Sequence, residues 1–364
     1  MLANQTKLLP VKLALKKRSI KSQPTKTRPI QLKILLLTIF LTFCLVMLGA
    51  YTRLSDSGLG CPDWPGCYGK LVVPHINDLH SQSLYPEQPI EPAKAWIEMV
   101  HRYLASLVGF LILLLAILTI KKPTANKKFP FGLLGLVIFQ GLLGMWTVTL
   151  GLLPIIVTAH LFGGFATLTL LWLYYRDQYV TLGISDFPPA LSRLAKISLL
   201  LVIGQIFLGG WTSTNYAALI CPDLPMCRGQ WLPNTDFING FDLFGDPSKN
   251  WLGGLLDEPS RTAIHLSHRL GACIVGVCLL TLCWQLLKLK QHQYAIAIFS
   301  FLLLQISLGV SNILFLLPLP IAVAHNGIAA LLLISVADLY WFSRQFQSVS
   351  QLKTLPISRQ LSLN

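Results

Sequence analysis

Cys61–Cys67 reads CPDWPGC and Cys221–Cys227 reads CPDLPMC, the same Cys-Pro-Asp-x-Pro-x-Cys pattern 160 residues apart. The chain is therefore read as internally duplicated, and other segments agree. VHRYLASLVG around His101 answers SHRLGACIVG around His268, and LPIIVTAHLFGG past His160 answers LPIAVAHNGIAA past His325. A smaller signature, Gln140, Gly144, Trp146 and Thr147, recurs as Gln205, Gly209, Trp211 and Thr212, and its first part again as Gln305 and Gly309. Small residues at that spacing let helices approach closely, so this signature by itself reports packing.

The composition sets the solvent. Hydrophobic residues make up 53% of the chain and charged residues 12%, with a mean hydropathy of +0.60; a water-facing surface needs far more charge. Apolar runs long enough to cross a hydrocarbon core of about 30 Å lie near 33–52, 95–120, 130–150, 154–175, 192–213, 260–287, 293–315 and 319–341. The expected fold is an all-α integral membrane protein of eight transmembrane helices, arranged as two duplicated four-helix bundles in parallel orientation. Its parts are a basic N-terminal segment (1–32), an N-terminal half (33–176), an inner linker (177–190), a C-terminal half (191–342) and a tail (343–364).

Orientation follows from the cations. Nine Lys and Arg residues between Lys7 and Lys33 have no acid among them, and Lys121, Lys122, Lys127, Lys128, Arg176, Arg193, Lys288 and Lys290 fall in alternate connections. Positive charge collects on the inside, so both termini are expected in the cytoplasm of a bacterial cell. An organelle transit peptide, and with it the mitochondrial inner membrane, is the alternative, although such peptides favour Arg. The net charge of +14 then reflects topology and contact with anionic lipid, and no nucleic-acid partner is expected. Two long loops, 53–94 and 214–259, face outward, and each holds one cysteine pair. Four cysteines allow three connectivities; the expected one is Cys61–Cys67 and Cys221–Cys227, each closing a short proline-bent loop. Cys44, Cys273, Cys278 and Cys283 fall within spans and read as packing residues.

Of the eight histidines, His75 and His80 lie in the first outer loop and His292 at an inner helix start, where a solvated or interfacial role suffices. His101, His160, His268 and His325 differ, because each follows the outer start of an even-numbered span. His101 and His268 are nine residues after Pro92 and Pro259; His160 is six after Pro154 and His325 five after Pro320. At about 1.5 Å per residue all four lie roughly 8–13 Å along their helices. Two imidazoles at matching depth on two parallel helices can clamp a flat metal macrocycle inside a bundle. Zinc would want further ligands at that depth, and only Glu98 and His265 offer themselves.

SDSGLGCPDWPGCYG, EMVHR, AHLFGG, LSHRLGA and AHNGIAA, set in an eight-span duplicated chain, resemble the haem A synthase family over nearly everything beyond the basic N-terminus. The resemblance implies oxidation of the C8 methyl of haem O to a formyl group, through an alcohol and a hydrated aldehyde, giving haem A for terminal oxidases. It implies that one half holds the substrate haem and the other a resident haem b. By that pattern Glu98, His101 and His160 belong to the catalytic half and His268 and His325 to the cofactor half. Arg102 and Arg269, directly after two of the histidines, are further cofactor-binding candidates. Implied partners are a haem O synthase as donor, a terminal oxidase assembly as acceptor and an electron-transfer partner.

Glu98 lies three residues from His101 and four from Arg102, on one helix face. The carboxylate is expected to act as a base beside the ring, the alternative being that Glu98 and Arg102 only neutralise each other. The other half keeps His268 and Arg269 but has His265 in place of the glutamate, so the acid is needed in one half only. Three rival classes remain: a bis-histidine cytochrome b confined to electron transfer, a membrane thiol oxidoreductase, and a proton-coupled transporter. The thiol reading is weakened by five residues between the paired cysteines where Cys-x-x-Cys is usual, and no Rossmann or P-loop pattern supports nicotinamide or ATP.

Overall fold

A computed structural model describes residues 29–120, 127–179 and 187–354, with no account of side chains beyond Arg344. Lys121 and Lys122, most of the basic N-terminal segment, residues 180–186 of the inner linker and the tail past 354 lie outside it. The described chain forms ten helices: α1 (Pro29–Leu54), α2 (Leu79–Leu84), α3 (Pro92–Ile120), α4 (Lys128–Thr149), α5 (Pro154–Tyr179), α6 (Pro189–Thr214), α7 (Phe237–Gly240), α8 (Glu258–Lys288), α9 (His292–Leu314) and α10 (Leu319–Thr354). Eight of them, all but the short α2 and α7, are long and apolar enough to cross a membrane. This is an all-helical membrane protein; among the described residues the only sheet-like pairings are two isolated bridges, Cys67 with Lys70 and Cys227 with Gln230.

Several helices run longer than the apolar runs suggest. α3 has 29 residues and α8 has 31, about 44 and 47 Å at 1.5 Å per residue, against a core of about 30 Å. Both helices begin on the side that carries the two cysteine loops, here called the loop side. α2 and α7 sit within those loops, begun by Asp78 and Asp236, whose carboxylates accept from Ser81 N and Asn239 N. Hydropathy does not reveal them, because a single polar turn has no apolar period.

The four helices that end on the loop side by way of a turn do so alike. Ser57 N donates to Thr52 O, Ala217 N to Thr212 O, Leu152 N to Thr147 O and Leu317 N to Asn312 O, at 2.7–2.9 Å. Each closure carries a left-handed residue, Asp56, Tyr216, Gly151 and Leu316, which is the Schellman arrangement that satisfies helix-end carbonyls.

Packing order is the same in each set of four spans. In the first, α1 touches α3 and α5, and α4 touches α3 and α5; in the last, α6 touches α8 and α10, and α9 touches α8 and α10. The sets meet where α1 and α5 pack on α6 and α10, around a core that includes Phe165, Leu168, Val202, Ile206, Leu332 and Val336. Polar contacts pin this seam at both ends. On the loop side the Arg53 guanidinium lies 4.1 Å from the Tyr216 ring centre and donates to Ser213 O, while the Tyr216 hydroxyl donates to Asp56 at 2.6 Å. At the far end Arg176 bonds Asp338 at 2.8 Å, and Tyr294 bridges both.

Candidate haem-binding sites

α3 and α5 face each other across the first four spans, and they bring His101 and His160 together with ring centres 6.4 Å apart and planes inclined at 72°. Two metal–nitrogen bonds of about 2 Å each fit between imidazoles so spaced. α8 and α10 carry His268 and His325 at the corresponding places in the last four spans.

Each ring is seated on a glycine of a neighbouring helix. A Cβ on Gly49 would come within 3.0 Å of His101, on Gly144 within 3.4 Å of His160, on Gly209 within 3.2 Å of His268 and on Gly309 within 3.1 Å of His325. Glutamine accompanies three of the four. Gln140 donates to His160 O at 2.9 Å; Gln205 donates to His268 O at 2.9 Å and meets His268 Nδ1 at 3.0 Å; Gln305 meets His325 Nε2 at 3.1 Å. Gln140 and Gln205 lie where a Cβ on Gly163 or Gly271 would clash, at 2.1 and 2.3 Å, so the glycine one turn after His160 and His268 makes room for the amide. The Gln-x-x-x-Gly signature thus serves histidine placement, beyond the helix packing that sequence reasoning assigned to it. Its recurrence in three helices was the available signal.

The nitrogens fit a metal-bound ring. Nδ1 of His101, His160 and His325 is buried with no hydrogen-bond partner, and buried polar atoms left so call for an explanation such as a bound group. Among the described residues no cluster of three His, Cys, Asp or Glu side chains converges as a metal cage. Two facing histidines in each set of spans could hold a metal whose remaining ligands a flat macrocycle would supply.

Both cysteine pairs form disulfides, Cys61–Cys67 and Cys221–Cys227. Inside each closed loop an aspartate fixes the turn: Asp63 accepts from Tyr68 N and Gly69 N, Asp223 from Arg228 N and Gly229 N, at 2.6–2.9 Å. Those two N–H bonds hold the Asp223 carboxyl below its usual range. Each loop is clasped to its long helix by an arginine. Arg102 donates to the carbonyls of Asp63, Pro65 and Gly66, and Arg269 to those of Cys221 and Met226 at 2.7 and 2.8 Å. Both guanidinium groups thus turn to the loop backbone.

Glu98 is buried, at 4% exposure. Its Oε1 pairs with Arg102 at 2.5 Å and its Oε2 accepts from Cys61 N at 2.9 Å. The acid is therefore held by two donors from two elements, more than mutual neutralisation requires. His265, its counterpart, is equally buried at 3% and leaves Nδ1 without a partner. An apolar groove of about 420 Å³ lies between α4, α5 and α6, with Leu136, Phe139, Phe162 and Phe207 among its walls; His160 does not line it.

Residues 33–337 match the cytochrome oxidase assembly protein family. The chain belongs to that family. It is 47% identical to the heme A synthase of Shewanella oneidensis over 314 residues, 85% of this chain and 95% of that one. The heme A synthase of Mesorhizobium japonicum is 28% identical over 339 residues, 84% of this chain and 88% of its own. That of Agrobacterium fabrum is 24% identical over 325 residues, 81% and 85% of the two chains.

Proposed function

We propose that this protein is a haem A synthase, a membrane oxidoreductase that converts the C8 methyl of haem O to a formyl group. The relatives' shared activity supports the reaction, and two histidine pairs in a family member of this length support haem as what the protein handles. In this reading His101 and His160 hold the substrate in the first four spans, and His268 and His325 hold a resident haem b in the last four. The iron of a bound haem supplies the oxidising chemistry. The protein is a multi-pass protein of the bacterial inner membrane, with the loop side outward and both termini inside. It receives haem O from a haem O synthase, passes haem A to terminal oxidase assembly and exchanges electrons with a further partner.

The observation that carries the assignment of halves is Glu98. Arg102 and the Cys61 N–H hold the Glu98 carboxylate, with the Gly60 N–H close by, and the carboxylate so held would serve as the base for the substrate's oxidation. Arg102 and the disulfide loop fix the carboxylate's orientation, which lowers the reorganisation required when the proton moves. Burial excludes water from that transfer. His265 has neither the charge nor the two fixed donors, so the last four spans lack an equivalent base.

Pigment extraction from cells that also carry a haem O synthase tests this. Glu98→Gln keeps the shape and loses the basicity; haem O or its hydroxylated form should accumulate while haem b stays bound. His265→Gln should change the spectrum or potential of the resident haem, with oxidation slowed but present. Haem A at the wild-type rate in Glu98→Gln, with His265→Gln stalled, would reverse the two halves.

A further inference from the structure

The long helices begin alike and are charged differently. Glu91-Pro92-Ala93-Lys94 precedes His101 by the same interval at which Glu258-Pro259-Ser260-Arg261 precedes His268. In α3 the cation is neutralised within its own turn, Lys94 Nζ lying 2.8 Å from Glu91 Oε2. In α8 the matching acid is taken from outside: Glu258 pairs with Arg228 of the second disulfide loop. The first loop has Tyr68 at the place of Arg228, and its hydroxyl donates to Pro89 O at 2.9 Å. Two other acids lie close to the start of α8: Asp257 accepts from Ser260 N as the helix cap, and Asp236, whose N–H donates to Pro259 O, has its carboxylate engaged by Asn239 N and Nδ2. Arg261 is thus left with no ion pair among the described residues, and its Nε is buried without a hydrogen-bond partner.

Seven residues separate Arg261 from His268, two turns on one helix face and about 10 Å toward the loop side. An arginine partly withdrawn from water with no counter-charge is costly, and its planar fork is suited to a carboxylate. We infer that Arg261 holds a carboxylate of the macrocycle bound between His268 and His325, and that Arg228 keeps it free to do so by occupying Glu258. This rests on the reading that the last four spans carry a resident haem. The matching cation of the first four spans is already paired, so a haem there lacks this anchor and leaves more readily. A retained cofactor and a released product require that difference.

The test uses the full-length protein purified with its haem. Haem transfer to excess apomyoglobin gives a loss rate, and redox titration gives a potential. Arg261→Gln should speed haem loss about 10-fold or more and lower the potential, since a removed positive charge favours ferric iron; Arg261→Lys should recover part of both. Arg228→Tyr, which leaves Glu258 to pair with Arg261, should move both readouts the same way, and adding Glu258→Gln should restore them. If Arg261→Gln proves unstable, the Arg228→Tyr and double-variant pair decides alone. Wild-type loss rate and potential in Arg261→Gln, or in Arg228→Tyr, overturn the role of Arg261 while leaving the resident haem in place. Wild-type protein that purifies without haem, or His268→Ala protein that keeps it, overturns the parent reading and this one together.

Discussion

The first and last four spans place a histidine pair, a disulfide loop and a clasping arginine in the same relation, yet they differ where charge is concerned. On α3, Glu98 is buried against Arg102 and a backbone N–H, and Lys94 is neutralised. On α8 the glutamate is replaced by His265, and Arg261 has no ion pair among the described residues, its Nε being buried without a hydrogen-bond partner. The scaffold recurs; the ionisable groups do not. On the proposed reading, one set of spans supplies a base for proton transfer and the other an anchor for an anionic ligand.

The largest expected difference between the two concerns the clasping arginines. Arg102→Leu strands a buried carboxylate, a loss on the order of 3–5 kcal/mol, together with three loop carbonyls, whereas Arg269→Leu strands two loop carbonyls alone, about 1–3 kcal/mol each. Thermal unfolding in detergent should rank Arg102→Leu clearly below Arg269→Leu. Equal losses would mean that Glu98 adds nothing to the clasp.

Next come the ring seats. Valine at Gly209 or Gly309 would set its Cβ 3.2 or 3.1 Å from an imidazole and push methyls into it, an overpacking cost of about 1–3 kcal/mol. Resident haem should fall in both variants. Gly144→Val, at 3.4 Å from His160, should spare the resident haem and reduce haem A formation. A haem b spectrum that responds equally to all three would dissolve the separation of the two sites.

A smaller effect is expected at the glutamines. Gln305→Leu removes the amide from His325 Nε2, and Gln205→Leu frees the His268 ring; each should shift the resident potential and weaken haem binding about 10-fold. Gln140→Leu touches only the His160 backbone and should leave that potential where it was.

The smallest effect is a pH response of the second loop. The Asp223 carboxyl is lowered from 3.8 by its N–H donors. A depressed acid stabilises the fold above its unfolded value, and that contribution is lost as pH falls through the folded one. Proteolysis of the second loop should therefore increase below about pH 4 in wild type, and Asp223→Asn should show little further change there.

Much of this was legible in the sequence because it depends on local pattern. Eight apolar runs, four histidines at matched depth, the two cysteine pairs and the single glutamate each follow from spacing along one helix or one loop. The missing parts depend on approach between elements. Pro92 marks the start of α3 three residues before its apolar run begins, and the extra turns are visible only where the disulfide loop packs on them. Arg102 is a haem candidate by adjacency to His101, but its side chain leaves the helix toward the loop carbonyls. Gln205 and Gly209 look like packing residues until His268 is seen against both. Helix periodicity shows which face a side chain shares; the facing residue has to come from the fold.

On the proposed reading, one histidine pair serves a retained haem and the other a haem that turns over. The most direct measurement is the haem content and pigment output of four single variants, His101→Ala, His160→Ala, His268→Ala and His325→Ala, purified from cells supplied with haem O. His268→Ala and His325→Ala should lose the resident haem b spectrum, whereas His101→Ala and His160→Ala should keep it and make no haem A. Loss of haem b in the first-half variants, with its survival in both His268→Ala and His325→Ala, would contradict that reading.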